Sequence, residues 1–220
     1  MKISYETLLP VYYWMWKHWR QKRWQRFCEK IFPTHSDTVL DVGGCAGDWA
    51  GRGSNINHVD ILNLEAHETP GIPDSPTMLS IAGDGCNLLY GDGSYDILFS
   101  NSVIEHVGGW EDQKKFAAEA RRVGKRLWIQ TPAYGCPVEP HYLGLFIHWF
   151  PQAWHVRVAR WTSVVGLTGA ADLHSIASTT RLITKKEYRQ LFPDCEIWTE
   201  RFLLIFPKSY IAIRSNRVES

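Results

Sequence analysis

An acidic residue followed by closely spaced glycines is the part of the sequence best suited to bind a ligand. The apolar run from Val39 reaches Asp41, and Gly43, Gly44 and Gly47 follow it closely. Glycine adopts backbone angles that other residues avoid, and its missing Cβ lets a ligand approach the main chain. The pattern predicts a strand that leads into a ligand-binding loop, although a tight buried turn would use the same residue types.

The spacing of these glycines separates the loop from two common nucleotide-binding motifs. The sequence has no GxxxxGK[ST] segment, which excludes a phosphate-binding P-loop. Gly43 and Gly44 are adjacent, so the loop does not fit the GxGxxG pattern of dinucleotide sites either. A nucleoside-type ligand is therefore favoured over a dinucleotide pyrophosphate.

Polar residues also occur where three later strand-like runs end. Asp60 ends the second run, Asp84 and Gly85 end the third, and Asn101 ends the fourth. Ligands of open α/β sheets bind beyond the carboxyl ends of the strands, where these side chains would gather. An acid about 20 positions after a glycine loop can accept hydrogen bonds from ribose hydroxyls. This spacing predicts Asp60 as a ribose ligand.

The elements that would position these residues alternate along the chain. Strand-like runs cover residues 38–42, 56–62, 77–84, 95–101, 125–132, 195–206 and 209–214, and helical patterns cover 111–123 and 183–192. The alternation predicts right-handed βαβ units. Only Pro207 and Lys208 join the last two strands, too few residues for a parallel crossover. The predicted fold is α/β and Rossmann-like, a seven-stranded and mostly parallel sheet with an antiparallel C-terminal hairpin and helices on both faces.

Composition limits the class of protein further. The chain has 220 residues, enough for one domain with a sizeable core, and its formal net charge of +1 argues against a dedicated nucleic-acid-binding protein. Its five cysteines form no CxxC pair and no HExxH occurs, so neither a metal site nor a disulfide framework is expected. No apolar run is long enough to cross a membrane. These features favour a reducing, cytoplasmic location.

The motifs resemble those of the class I S-adenosylmethionine (SAM)-dependent methyltransferases, of the small-molecule, methyltransferase type 11-like kind. The resemblance covers residues 37–135 through the pattern hydrophobic-Leu-Asp-x-Gly-x-x-x-Gly, and the C-terminal hairpin fits the family's reversed last strand. It implies SAM as the cofactor and S-adenosylhomocysteine as the product. The chain departs from the family in having Ala46 at a usual glycine position. The interval before Asp60 is also short, which predicts a first helix of about two turns.

The resemblance implies that SAM is held by the glycine loop and the strand ends. The residues concerned are Asp41, Gly43, Gly44, Cys45, Gly47, Asp60, Asp84, Gly85 and Asn101. The loop would contact the methionine part of SAM, Asp60 the ribose and Asp84 the adenine.

A second segment, SNSVIEHV from Ser100, matches the family segment that borders the methyl-transfer cavity. SAM carries an activated leaving group, so the enzyme mainly aligns the acceptor and removes its proton. Glu105, His106 and His141 are the candidate bases, and histidine titrates in the suitable pH range. Two alternatives remain open: Glu105 orients a partner or SAM, and His106 only packs against the following turn.

The aromatic segment at about residues 133–180 stands where this family inserts substrate-recognition elements. Prolines on both sides of Glu139 indicate a fixed loop that aims Glu139 and His141 at the cavity. Tyr142 and Trp149 complete the predicted substrate-binding set, with the aromatic residues forming a lid. The alternative is a helical pair that buries its own aromatic side chains.

Residues 1–36 are predicted to form a helical segment that precedes the methyltransferase domain at 37–220. From Tyr12 onward it mixes aromatic residues with six Lys and Arg residues between Lys17 and Lys30. Such a segment can cover the active site, or it can make peripheral contact with an anionic membrane.

The predicted function is methyl transfer from SAM to an oxygen or nitrogen of a small molecule, in a biosynthetic pathway, by a monomer or homodimer. Oxygen is slightly favoured because histidine bases suit hydroxyl acceptors. A nucleic-acid substrate is disfavoured, since Asn101 is not followed by the Pro-Pro-Tyr/Phe of enzymes that methylate base amino groups. The alternatives are a lipid- or glycan-linked or macromolecular acceptor, and a non-catalytic SAM-binding subunit of a partner.

Overall fold

The computed structural model describes residues 19–52, 55–69, 71–139, 141–169, 171–202 and 205–215. The chain divides into two compact units. The sheet unit comprises residues 33–136 and 179–220, and the aromatic unit comprises residues 1–32 and 137–178. The covering role of residues 1–36 stays a prediction, and residues 12–18 of its aromatic stretch lie outside the described residues.

The described residues contain these strands: β1 Thr38–Val42, β2 His58–Asn63, β3 Thr77–Ala82, β4 Tyr95–Asn101, β5 Gly124–Pro132, β6 Val138–Glu139, β7 Gly144–Leu145, β8 Glu196–Phe202 and β9 Phe206–Arg214. Seven of them form one sheet in the order β3-β2-β1-β4-β5-β9-β8, while β6 pairs with β7 in the aromatic unit. The pairs among β1 to β5 are parallel, and β9 is antiparallel to both β5 and β8. The predicted seven-stranded α/β sheet with a reversed C-terminal hairpin is confirmed.

The position predicted for the hairpin turn is wrong. β8 ends at Phe202 and β9 begins at Phe206, so Pro207 lies inside a strand. It stands opposite Arg201, at a shift of register in the β8–β9 pair. Because proline has no N–H to donate, such a β-bulge is one of the few places in a sheet that tolerates it.

Two helices pack on one face of the sheet. They are α2, Trp110–Val123, and α6, Lys185–Leu191. The apolar stripe predicted for α2 is buried there together with alternate strand residues: Phe116, Ala117, Ala120, Val123, Leu40, Leu98 and Leu127. α6 begins with a capping box, in which Thr184 and Glu187 satisfy each other's backbone N–H groups.

The crossover after β1 differs from the predicted two-turn helix. Its described residues form a 3-10 turn, Ala46–Trp49, in a stretch rich in glycine, which is a poor helix former. Trp49 is fully buried and packs edge-on against Phe99, with ring centroids 5.2 Å apart. The buried indole therefore fixes this short connection where a longer helix was expected.

The aromatic unit contains α1, whose described part is residues 19–31, and α3 Gln152–Thr162, α4 Val164–Thr168 and α5 Leu173–Thr179. Its small core holds Tyr142, Ile147 and Ala159. Gly166 lies so close to α3 that a Cβ there would stand 2.1 Å from the Ala159 carbonyl oxygen. No helix in the described ranges is both long enough and apolar enough to cross a membrane.

Candidate active site

A cavity of about 700 Å³ opens at the carboxyl ends of β1 to β4. Small-molecule sites commonly have volumes of about 300–1,000 Å³, and open α/β sheets bind their ligands at this edge. The loops after the four strands each contribute to the wall. Their lining residues include Gly43, Asn63, Leu64, Asp84, Gly85, Cys86, Ser102, Val103 and His106.

The glycines after β1 are required by the loop's own packing. Gly43 has φ +76°, and a Cβ at this position would stand 2.4 Å from a methyl group of Val103. A Cβ on Gly44 would stand 1.8 Å from Oδ2 of Asp41. By contrast, the nearest atom to a Cβ on Gly47 would be the Cys45 sulfur at 3.9 Å. Two of the three glycines are thus fixed by neighbouring side chains of this protein.

The Asp41 side chain supports the glycine loop. Its carboxylate is buried, and the Trp49 indole donates a 2.8 Å hydrogen bond to Oδ2. The Gly43 N–H extends the β1–β2 ladder by donating to the Leu62 carbonyl oxygen at 2.7 Å. The Asn63 side-chain amide donates to the Gly44 carbonyl oxygen at 3.1 Å. The loop is therefore held by β2 and by the buried Trp49.

The prediction that Asp60 ends the second strand is wrong. β2 continues to Asn63, and Asp60 does not line the cavity. The Tyr95 hydroxyl donates to one Asp60 oxygen at 2.7 Å, and His58 Nε2 lies 2.8 Å from the other. Burial, with this hydrogen bond from Tyr95 to Asp60, raises the pKa of the Tyr95 phenol above its ordinary value. Ile61 and Leu62 continue the apolar run after Asp60, and this was the sequence signal for a longer strand.

The turn after β3 carries Asp84, Gly85 and Cys86. Asp84 Oδ1 accepts a 2.8 Å hydrogen bond from the Cys86 N–H, which holds the turn at the cavity wall. Burial, followed by the charges of Asp84 and Asp112, raises the pKa of the Cys86 thiol to about 11. Cys86 is therefore a neutral thiol near pH 7. It contributes a small uncharged surface to the cavity.

The chain bends sharply after β4. Asn101 ends the strand as predicted, but it does not line the cavity, and its Oδ1 is buried without a hydrogen-bond partner among the described residues. Ser102 has φ +57°, in the left-handed region, and donates from its N–H and its hydroxyl to Gln130. This bend directs Val103 and His106 toward the cavity.

Glu105 and His106 have different surroundings. Glu105 is fully buried, does not line the cavity and accepts a 3.0 Å hydrogen bond from the Thr131 hydroxyl. His106 is exposed at the cavity wall, with its Nδ1 3.5 Å from the Thr180 hydroxyl. Of these two candidate bases, only His106 reaches the cavity directly.

The other predicted substrate residues belong to the aromatic unit. Tyr142 is buried in its core, which gives this side chain a packing role. His141 is half-buried, and Trp149 is 47% exposed. Phe146, Phe150 and Trp154 are also at least 42% exposed, so the aromatic side chains predicted for the lid are not the ones that this segment buries. The substrate-binding roles of Glu139, His141 and Trp149 stay predictions.

Sequence reasoning missed a buried network that holds the loop after β4. The Gln113 amide is fully buried and donates two 3.0 Å hydrogen bonds, to the carbonyl oxygens of Ile104 and Arg181. The Arg181 guanidinium donates to Gln113 Oε1 and lies 5.2 Å from the centroid of the Trp110 ring. The Arg181 N–H donates to the Glu105 carbonyl oxygen at 2.8 Å. The only local sign of this network in the sequence was a glutamine within an amphipathic helix.

The glycine loop and the cavity beyond β1 to β4 lie in a segment that matches a known protein family. Residues 40–127 match the family model described as the methyltransferase domain. This segment belongs to the class I SAM-dependent methyltransferases. The matched segment includes the described cavity-lining residues, from Val42 to Phe116, and SAM is the cofactor of the family. The cavity fits SAM in its position and its volume, and its wall includes the acceptor side chains of Asn63, at the end of β2, and Asp84, in the turn after β3.

Solved structures share the fold of this chain. YcgJ of Bacillus subtilis is 16% identical over 84% of this chain and 71% of its own, with a TM-score of 0.53. A chain of the Haloferax volcanii complex between the Trm112 methyltransferase activator and a candidate methyltransferase is 13% identical over 90% and 89%, with a TM-score of 0.50. A candidate O-methyltransferase of Nostoc punctiforme is 12% identical over 89% and 55%, with a TM-score of 0.53. No curated protein sequence matches the chain.

Proposed function

We propose that the chain transfers a methyl group from SAM to an oxygen or nitrogen of a small molecule, with the acceptor bound beside His106. The observation that carries this proposal is that His106 and Gly43 line one cavity. A proton acceptor and the glycine loop therefore face the same space. When bound, SAM supplies a methyl group on a positively charged sulfur, which is already an activated leaving group.

Asn63 takes the ribose role that the sequence suggested for Asp60. Its amide N–H is engaged by the Gly44 carbonyl oxygen, so Oδ1 is the atom that accepts a hydrogen bond from a ribose hydroxyl. Asp84 follows the neighbouring strand and accepts from the adenine amino group. Asp41 acts through the loop, because its carboxylate supports Gly44 and does not reach the cavity.

His106 removes the proton from the acceptor, a task suited to an imidazole near neutral pH. Its exposed position leaves the ring accessible to an incoming hydroxyl or ammonium group. Glu105 is a positioning residue. Its buried side chain is held by Thr131, and its carbonyl oxygen is held by Arg181, which fixes the backbone next to His106.

Two features support the proposed class of methyl acceptor: the exposed aromatic rings of the aromatic unit and the histidine at the cavity wall. Glu139, His141 and Trp149 of the aromatic unit are retained as the proposed acceptor-binding residues, since this segment exposes aromatic rings that suit an apolar or cationic molecule. Oxygen is favoured over nitrogen because a histidine base suits a hydroxyl. The description of the Nostoc relative as an O-methyltransferase agrees with this preference.

Calorimetric titration with S-adenosylhomocysteine tests the cofactor contacts. We expect Asn63→Leu to weaken binding about tenfold, because a polar contact worth about 1 kcal/mol or more is lost. Asp60→Asn is the matched control on the same strand, and its affinity should equal that of the parent chain. Equal binding by Asn63→Leu, or a loss confined to Asp60→Asn, would contradict the assignment.

A product screen with labelled SAM tests the reaction. His106→Ala should lose at least about a hundredfold in turnover with S-adenosylhomocysteine affinity retained. His67→Ala, at an exposed histidine outside the cavity, is the control and should keep full activity. Cofactor binding without transfer to any acceptor, in parent and variants alike, would favour the non-catalytic subunit.

A further inference from the structure

The outer face of α3 exposes large aromatic rings to solvent. Trp154 is 54% exposed and Trp161 is 73% exposed. They are seven residues apart, so they lie two turns apart on one side of the helix. Arg157 lies between them on this side, and Arg160 precedes Trp161; both arginines are exposed. The face therefore alternates indole and guanidinium groups.

The inner face of the same helix is fixed by packing. Ala159 is buried with Tyr142 and Ile147, and Val158 packs against this core. Gly166 of α4 approaches the Ala159 carbonyl oxygen more closely than any other residue type would allow. The orientation of α3 within its unit is thus set from the inside. Trp154 and Trp161 take no part in that core, so their exposure calls for an explanation other than folding.

Charge is distributed unevenly between the two units. The aromatic unit has nine Lys and Arg residues and four Asp and Glu residues. The sheet unit has fifteen Lys and Arg residues and nineteen Asp and Glu residues. α3 itself contains two arginines and no acidic residue. A chain whose formal net charge is only +1 therefore concentrates its positive charge in the unit that exposes these tryptophans.

We propose that the outer face of α3 binds the surface of membranes that contain anionic phospholipids. Tryptophan rings partition into the headgroup region without needing a complementary pocket, and arginines bind lipid phosphates beside them. The segment that precedes α3 in the same unit exposes further apolar side chains, those of Leu145, Phe146, Trp149 and Phe150, each at least 42% exposed. The contact is peripheral and independent of the methyl-transfer proposal. The basic segment at residues 20–30 belongs to the same unit, so α3 would be a second element of this unit that contacts the membrane.

Vesicle flotation with the full chain tests the proposal. We expect the chain to float with vesicles of equal phosphatidylcholine and phosphatidylglycerol and to remain behind with pure phosphatidylcholine. The double variant Arg157→Gln/Arg160→Gln should bind the mixed vesicles about twentyfold more weakly, since each arginine near the surface contributes roughly fivefold. The double variant Trp154→Ala/Trp161→Ala should bind about tenfold more weakly or worse.

Matched controls come from the sheet unit. Lys186→Gln/Arg189→Gln removes two exposed cations at the same spacing on α6, and Leu89→Ala removes a side chain that is 90% exposed. Both should bind mixed vesicles like the parent chain, and every variant should keep the parent's far-ultraviolet circular dichroism and melting temperature. Equal binding to neutral vesicles, no effect of the α3 variants, or equal losses in the controls would overturn the proposal. So would self-association without vesicles that the tryptophan variant abolishes, because the face would then be a protein contact.

Discussion

Gly44 lies directly against the carboxylate of Asp41, and a Cβ on Gly44 would stand 1.8 Å from Oδ2. The same oxygen accepts the hydrogen bond from the buried Trp49 indole, so the carboxylate cannot move aside without losing it. The acidic residue and the glycine are therefore one structural unit. The loop that faces SAM is shaped from within the protein before any ligand is bound.

We expect Gly44→Ala to lower the free energy of unfolding by about 3 kcal/mol, because the added methyl group overlaps a buried, hydrogen-bonded carboxylate. Gly47→Ala in the same loop is the control. Its nearest atom would be 3.9 Å away, so its effect should stay within about 0.5 kcal/mol. Thermal and urea unfolding of both variants check this. Equal destabilisation by the two alanines would mean that the contact with Asp41 does not govern the loop.

Gln113→Leu should loosen the segment that carries His106. The substitution removes both donors to the carbonyl oxygens of Ile104 and Arg181 and costs about 1–3 kcal/mol. We expect faster amide hydrogen exchange in residues 103–107, and, once an acceptor is found, a lower kcat with KM for SAM unchanged. Gln190→Leu, on the exposed side of α6, should change neither quantity. Unchanged exchange at 103–107 in Gln113→Leu would remove the positioning role.

The thiol of Cys86 should react slowly with iodoacetamide. Its pKa of about 11 leaves little thiolate near pH 8, so its rate should rise about tenfold per pH unit until the pH approaches 11. S-adenosylhomocysteine should slow the reaction further, since Cys86 lines the cavity. Peptide mass mapping can follow Cys86 beside the exposed Cys45. Labelling of Cys86 as fast as that of Cys45 at pH 8 would contradict the raised pKa, and an unchanged rate with S-adenosylhomocysteine would contradict its place in the cavity wall.

Asp96 should make stability depend on acid pH. Its hydrogen bond from Lys125, with two more from Thr38, lowers the pKa of Asp96 to about 2, below its unfolded value of 3.8. The charged carboxylate therefore stabilises the fold fully above about pH 4, and this stability is lost as the pH falls through 2. Asp96→Asn should cost about 2 kcal/mol near neutral pH and progressively less toward pH 2.

The control for Asp96 is Asp92→Asn, whose carboxylate is 84% exposed although it pairs with Arg122. Urea denaturation at several pH values should show almost no change for it, as is usual for a surface ion pair. A constant difference between Asp96→Asn and the parent chain from pH 7 to pH 2 would rule out the titration of this carboxylate as the cause.

The fold was largely predictable because its signals are local. β1 and β4 are largely apolar runs in the sequence, and α2 shows its buried stripe in its own sequence. The strand boundary at Asp60 was misjudged because an acid inside a strand looks like one at its end. Here the carboxylate is satisfied by Tyr95, which is 35 positions away. The residues next to Asp60 in the sequence do not indicate such a distant partner.

The site was less predictable for the same reason. Gln113 and Arg181 meet across 68 positions, and neither stands in a recognisable motif. The role of Gly44 was interpreted as room for a ligand, whereas its neighbour is Asp41 of the same strand and loop. Hydrogen bonds and packing that join distant segments arise only when the sheet is assembled. They therefore had to be read from the structure.

The described residues that line the cavity fall between Val42 and Phe116, and none of them lies on β5, β8 or β9. During synthesis, a nascent chain that has grown only as far as α2 already contains these lining residues. The edge of β5 remains unpaired until β9, which begins about 90 residues after Phe116, has been made. A nascent chain therefore carries these lining residues before the strand that completes the sheet beside β5 has been made.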